Sequence, residues 1–146
     1  MLQKEVAQRI VAKPPKMSML AISVQFYSQP KIIRYVSKGN FWPSPKVDSA
    51  IIKLDSRTPV SNGAQAEDSE LSQLNIDERK FFRLVKFGFS SKRRMLKNNL
   101  AAGLQISAEE AEAGLKAIGL NPKIRAEGLI VENWVKLFGE LGKFMV

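Results

Sequence analysis

Asn40-Phe41-Trp42-Pro43-Ser44-Pro45-Lys46-Val47-Asp48-Ser49 reads as a loop stiffened by two prolines that runs into a β-strand. Proline fixes its own φ and drives the preceding residue toward extended conformations, so Phe41, Trp42 and Ser44 are held in a narrow set of directions. A stiff loop presents side chains at low entropic cost. Two adjacent aromatics with Lys46 close behind suit a site that stacks a planar base and holds a phosphate. The same pair would serve as well to plug the end of a core, and composition leaves both readings open. After the loop, residues 46–54 alternate Val47, Ser49 and Ile51 against Asp48, Ala50 and Ile52, a strand expected to be covered on both faces. Before it, residues 32–36 form a second β-rich run. Two strands cannot bury both faces by themselves, so the pattern implies the end of a larger sheet whose other strands are supplied elsewhere.

Working outward, residues 4–12 carry Val6, Ile10 and Val11 among polar neighbours, a short amphipathic helix that stops at Pro14-Pro15. Residues 1–3 read as the end of a strand, so the chain is expected to begin inside a domain. Residues 17–27 are apolar around much of their circumference, with Ser18 placed to cap a buried helix that Pro30 would end. The polar, acidic stretch 55–75 lacks aromatics and reads as a flexible linker. It divides a first unit, residues 1–54, from a helical unit, residues 76–146. In the latter, Phe81, Phe82, Val85 and Phe89 recur at helical spacing, and a helix over 92–102 is expected after Ser90 or Ser91. Ser107-Ala108-Glu109-Glu110 opens another with a capping box, and residues 129–144 make the last. The fold class is therefore α+β.

The 146 residues carry a net charge of +9 with no cysteine and no histidine. Disulfides, thiolate or imidazole metal sites and a Ser-His-Asp triad are excluded. No apolar run approaches the length of a membrane helix, and no signal peptide is visible. The charge is uneven: net +7 over residues 1–54, −5 over 55–78, +8 over 79–97 and −1 over 98–146. Between 79 and 97 no acidic residue interrupts Arg79, Lys80, Arg83, Lys86, Lys92, Arg93, Arg94 and Lys97. Like charges at this density point to a polyanion, most commonly nucleic acid. On a helix, Arg93 and Lys97 would share a face, with Arg94 turned about 100° from Arg93. Asn98 and Asn99 could add RNA contacts or cap a neighbouring helix. Glu109, Glu110 and Glu112 read as helix N-terminal charges rather than a metal site.

The string from Phe41 to Ala50 resembles the Phe-x-Pro-x-Pro-Lys-Val-(Asp/Asn)-Ser signature of the ribosomal RNA adenine dimethyltransferases. Three further stretches resemble the same family: Gln3-Lys4-Glu5-Val6-Ala7, Val24-Gln25-Phe26-Tyr27, and the basic run from Phe89 to Leu100. The resemblance implies the last strands of a Rossmann-like methyltransferase domain followed by a helical RNA-binding domain. It further implies transfer of methyl groups from S-adenosylmethionine to adenines near the 3′ end of small-subunit rRNA. Phe41 would stack on the flipped adenine, and Lys46, Arg83, Lys86, Lys92, Arg93, Arg94 and Lys97 would contact RNA. The family's glycine-rich cofactor turn and its Asn-Leu-Pro-Tyr-type tetrapeptide have no counterpart in these residues. The chain alone is thus expected to bind no S-adenosylmethionine and to be inactive. The expected partner is a small-subunit ribosomal particle, met by a monomer without metal or membrane. The setting is bacterial cytoplasm, or a plastid or mitochondrion in a eukaryote. Two alternatives are a self-standing RNA-binding module and a resistance-type enzyme of large-subunit rRNA.

Overall fold

The computed structural model describes residues 1–56 and 76–145. The expected linker lies outside them except for Asp55 and Ser56, which continue a strand. The first elements are β1 (Leu2–Gln3), α1 (Lys4–Ile10), α2 (Met19–Tyr27), β2 (Ser28–Val36) and β3 (Ser49–Ser56). They are followed by α3 (Glu78–Gly88), α4 (Leu96–Leu104), α5 (Ala108–Ala117) and α6 (Val131–Leu141). The three strands form an antiparallel sheet in the order β1-β3-β2.

Pro30 does not end the helix before it. Helix α2 stops at Tyr27 because Ser28 is already extended, and Ser28 Oγ donates back to the Val24 carbonyl. Pro30 then sits inside β2, opposite Leu54. An edge strand tolerates proline because its missing N–H can lie on the unpaired side. A bulge at Ile33 leaves that side chain exposed. Strand β3 begins at Ser49 rather than at residue 46, and the expectation that both its faces are covered fails here. Ala50 is buried and Ile52 half-buried, with α1 packed against β2 and β3, whereas Ile51 and Leu54 are exposed.

The helical core is built mainly from α3 to α6. Asp77 caps α3 by accepting from the Arg79 and Lys80 amides, and Phe81, Leu84, Val85 and Gly88 line up at the i, i+3, i+4, i+7 spacing of a buried stripe. At Gly88 a Cβ would collide with the Trp134 ring and Leu96, so glycine lets α3 approach α6 and α4 closely. Ser107 and Glu110 form the expected capping box on α5. Helix α2 joins this core: Met17, Ala21 and Ile22 are buried in it, and the Phe26 ring stacks on Phe81 with centroids 4.6 Å apart. Tyr27 Oη donates to Glu78 Oε2 at 2.7 Å. Burial, then that hydrogen bond, pushes the phenol up to about 12.

Candidate nucleic-acid interface

The loop of residues 37–48 is fastened by its own polar groups. A turn of 3-10 helix, Lys38–Asn40, starts at Ser37, whose Oγ accepts from the Gly39 amide. The Phe41 amide closes the turn on the Lys38 carbonyl. Ser44 Oγ donates to the same carbonyl at 3.0 Å, the Lys38 amide donates to Asp48 Oδ1 at 3.1 Å, and the Lys4 amide donates to the Asp48 carbonyl at 2.9 Å. Asp48 therefore ties both ends of the loop together and joins them to α1. Phe41 is half-buried and Trp42 is 97% exposed. Neither belongs to the helical core or the partly buried residues packed against it. Among the described residues Trp42 therefore plugs no core. Lys46 faces an open cleft of about 590 Å³ together with Lys4, Gln8, Lys38 and Asp48.

Lys92, Arg93 and Arg94 are exposed, as RNA contacts must be, but they are not helical. Residues 90–95 form a turn, and α4 starts only at Leu96. The expected helix over 92–102, with Arg93 and Lys97 on one face, is corrected accordingly. The reason lies in three hydrogen bonds to residues outside the local turn. Buried Asn99 donates its side-chain amide to the Gly88 carbonyl at 2.7 Å and the Ser91 carbonyl at 2.9 Å, while the Leu96 amide is taken by the Ile124 carbonyl at 2.8 Å. Asn99 thus satisfies the end of α3, one of the two roles open to it on sequence, and fixes the turn from inside.

The remaining basic residues divide. Arg83 lies over the Phe87 ring at 5.6 Å and Lys86 is exposed, both on α3 just before the turn. Lys97 is different: its ammonium meets Glu112 Oε2 at 2.6 Å, and its side chain is only 21% exposed. Glu112 also meets Lys116 at 2.6 Å, and the hydrogen bonds from Lys116 and then Lys97 hold its carboxyl down at about 2. Glu112 therefore bridges α4 and α5 instead of serving as a helix N-terminal charge. The local sequence around 79–97 gave no sign of this partner. Lys4, Lys38 and Asp48 were also missed as members of the loop site; the one available signal was their spacing around the proline-rich stretch. Lys46 belongs with them rather than with the basic turn. Among the described residues no cluster suited to a metal ion occurs.

The glycines test whether these residues could cradle S-adenosylmethionine. Such a site needs a glycine-rich strand-to-helix turn open to the ligand. Instead Gly88, Gly103 and Gly114 lie under Trp134, Phe87 and Leu141, and Gly119 takes its φ of +78° just past the end of α5. Among the described residues these glycines do not form such a turn.

The chain matches the family model for ribosomal RNA adenine dimethylases over residues 1–143. A protein of Dehalococcoides mccartyi (strain CBDB1) called ribosomal RNA small subunit methyltransferase A is 41% identical over 138 residues, 94% of this chain and 43% of the relative. Its namesake from Clostridium botulinum (strain Okra / Type B1) is 38% identical over 142 residues, 94% of this chain and 46% of the relative. The chain spans less than half the length of these relatives. Among solved structures, a dimethyladenosine transferase from Plasmodium falciparum superposes with a TM-score of 0.74 at 23% identity, over 99% of this chain and 56% of that one. The 23S rRNA methyltransferase ErmE gives 0.64 at 21%, over 96% and 52%. At that identity the likeness speaks for the fold alone. With a family match that runs through the proline-stiffened loop, the basic turn and all six helices, the chain belongs to the ribosomal RNA adenine dimethylase family.

Proposed function

We propose that this chain is the C-terminal part of an rRNA adenine N6,N6-dimethyltransferase that acts near the 3′ end of small-subunit rRNA. In this reading the sheet is the end of a Rossmann-like methyltransferase domain, and α3 to α6 are an RNA-docking domain. S-adenosylmethionine would supply the methyl groups and would be held by the other half of the protein. The observation that carries the reading is the fastened loop, which offers half-buried Phe41 on a scaffold that need not reorganise when a base arrives. An enzyme acting on a base must take it out of the stack and grip it between apolar faces, and Phe41 supplies one such face. The exposed cations of the 92–94 turn, with Arg83 and Lys86, neutralise phosphates and set the register of the RNA. Lys97 works through Glu112 to steady that surface. The small-subunit assignment is supported by the relatives at 41% and 38% identity. The natural partner is then a small-subunit ribosomal particle, met by a monomer in the cytoplasm or in an organelle of bacterial descent.

The test joins this chain to the N-terminal half of the Dehalococcoides relative, with calorimetric S-adenosylmethionine binding as the check on folding. The joined protein should dimethylate adenines in small-subunit particles, and the chain alone should bind no S-adenosylmethionine. Phe41→Ala should slow methyl transfer roughly 5- to 150-fold, the equivalent of one lost base-aromatic stack, while RNA docking survives. A folded joined protein that methylates only large-subunit rRNA would overturn the substrate assignment. Normal turnover in Phe41→Ala with a lowered melting temperature would return Phe41 to a packing role.

A further inference from the structure

We propose that Trp42 is a second stacking platform, which holds the RNA base next to the one Phe41 contacts while Lys38 and Lys46 take that nucleotide's phosphate. The inference rests on the RNA-docking reading above and extends it to a subsite of its own. Trp42 is the most exposed large apolar residue among those described, at 97%. An indole is among the largest apolar surfaces a side chain can cover, and this one, held on a stiff loop, stays available to a planar ligand. The backbone on both sides is tied: the Asn40 amide to Ser37, the Phe41 amide and Ser44 Oγ to the Lys38 carbonyl, and the Lys38 amide to Asp48. Pro43 and Pro45 follow at once.

The surroundings select the ligand. Lys38 and Lys46 stand four residues before and four after Trp42, both exposed, and both line the cleft beside the loop. Lys4 lines it too, with its ammonium 5.3 Å from the centre of the Tyr35 ring. Two carboxylates share the cleft, Glu5 and Asp48, but one Asp48 oxygen is already occupied by the Lys38 amide. An exposed aromatic ring flanked in the loop by two exposed lysines matches a nucleotide, which offers a flat base joined to an anion. Base-aromatic stacking tolerates any base, since each has a π-face, and it adds to phosphate contacts rather than replacing them. The half-buried Phe41 and the exposed Trp42 are consecutive, so two neighbouring bases can be engaged by two neighbouring rings. Phe41 would grip the reacting base, and Trp42 would keep its neighbour unstacked.

The chain contains two tryptophans, Trp42 exposed and Trp134 fully buried, so fluorescence separates them. A single-stranded oligoadenylate of about ten nucleotides, within the usual range of single-strand site sizes, is the probe. It should quench the red-edge emission of the wild-type chain and leave the emission of Trp42→Phe, which comes from Trp134 alone, unchanged. Trp42→Ala should weaken binding roughly 5- to 150-fold with the salt dependence intact, and Trp42→Phe should keep most of the affinity. Lys38→Ala with Lys46→Ala should instead lower the salt slope by about 1.4, two phosphate contacts at about 0.7 each for a single strand. Oligoadenylate bound as tightly by Trp42→Ala as by wild type, with no quenching, would overturn the second platform while leaving RNA docking in place. No binding of the probe by the wild-type chain would overturn both.

Discussion

Among the described residues, eleven of the twelve largest fully buried side chains lie in residues 76–145, and nine of the ten large apolar side chains left exposed lie in residues 1–56. The exception on the buried side is Ile22 of α2, which inserts into the helical core. The helical region is packed around one core, to which α3 to α6 supply most of the side chains and α2 adds Ala21 and Ile22. The sheet region spends its apolar residues differently: Ile33, Tyr35, Ile51 and Leu54 lie open on β2 and β3. The same contrast separates the two functional surfaces. The basic turn is presented from a packed interior through Asn99, whereas the aromatic loop is held by polar ties at the surface. Core mutations in the helical region should therefore act on stability, and mutations of exposed side chains in the basic turn or the aromatic loop on ligand contact.

The largest expected effect is at the centre of the helical core. Trp134→Ala removes a fully buried ring and should cost about 3 to 5 kcal/mol, measured by urea unfolding followed by circular dichroism. Trp134→Phe should cost clearly less, because among the described residues the buried indole N–H has no hydrogen-bond partner to lose. Asn99→Ala comes next. It strips the donor from two carbonyls, one of them on the buried Gly88, and should cost about 1 to 3 kcal/mol while loosening the turn of Lys92, Arg93 and Arg94.

A smaller effect concerns Glu112. Its folded value, about 2, lies below the ordinary one of 4.5, held there by Lys116 and then Lys97. A depressed carboxylate contributes stability that is present above the unfolded value and is lost as pH falls through the folded one. Thermal melts should accordingly decline between about pH 4.5 and 2, and Glu112→Gln should flatten that part of the profile. An unchanged profile would remove the bridge between α4 and α5 from the account. Smallest of all, Ile51→Thr on the open strand should stay within about 0.5 kcal/mol of wild type. A loss comparable to that of Trp134→Ala would break the contrast between the two regions.

Much of this was legible in the residues. Ser18 and Ser107 stand where their caps were expected, and the spacing of Phe81 and Val85 and of Trp134 and Leu141 follows the buried faces of α3 and α6. What escaped local reading depends on partners distant in sequence. Residues 92–95 have ordinary helix formers, yet Ile124 and Asn99 hold the turn open until Leu96. Lys97 looks like one more free cation until Glu112, fifteen residues on, folds against it. Pro30 reads as a helix stop, but the edge position of β2 accommodates it. In the loop, two prolines announced rigidity, whereas the part played by Asp48 in joining α1 to the loop depended on the pairing of β1 with β3.

The central claim is that the turn of Lys92, Arg93 and Arg94 docks RNA phosphates. Its most direct test is the salt dependence of binding between this chain and a single-stranded fragment from the 3′ end of small-subunit rRNA. Wild type and Arg93→Ala/Arg94→Ala are to be compared with Lys136→Ala/Lys143→Ala on the same fragment. The account predicts that losing Arg93 and Arg94 weakens binding and lowers the slope of log affinity against log salt by about 1.4, while the Lys136 and Lys143 pair leaves both close to wild type. Equal losses in the two double variants, or an unchanged slope without Arg93 and Arg94, would contradict it.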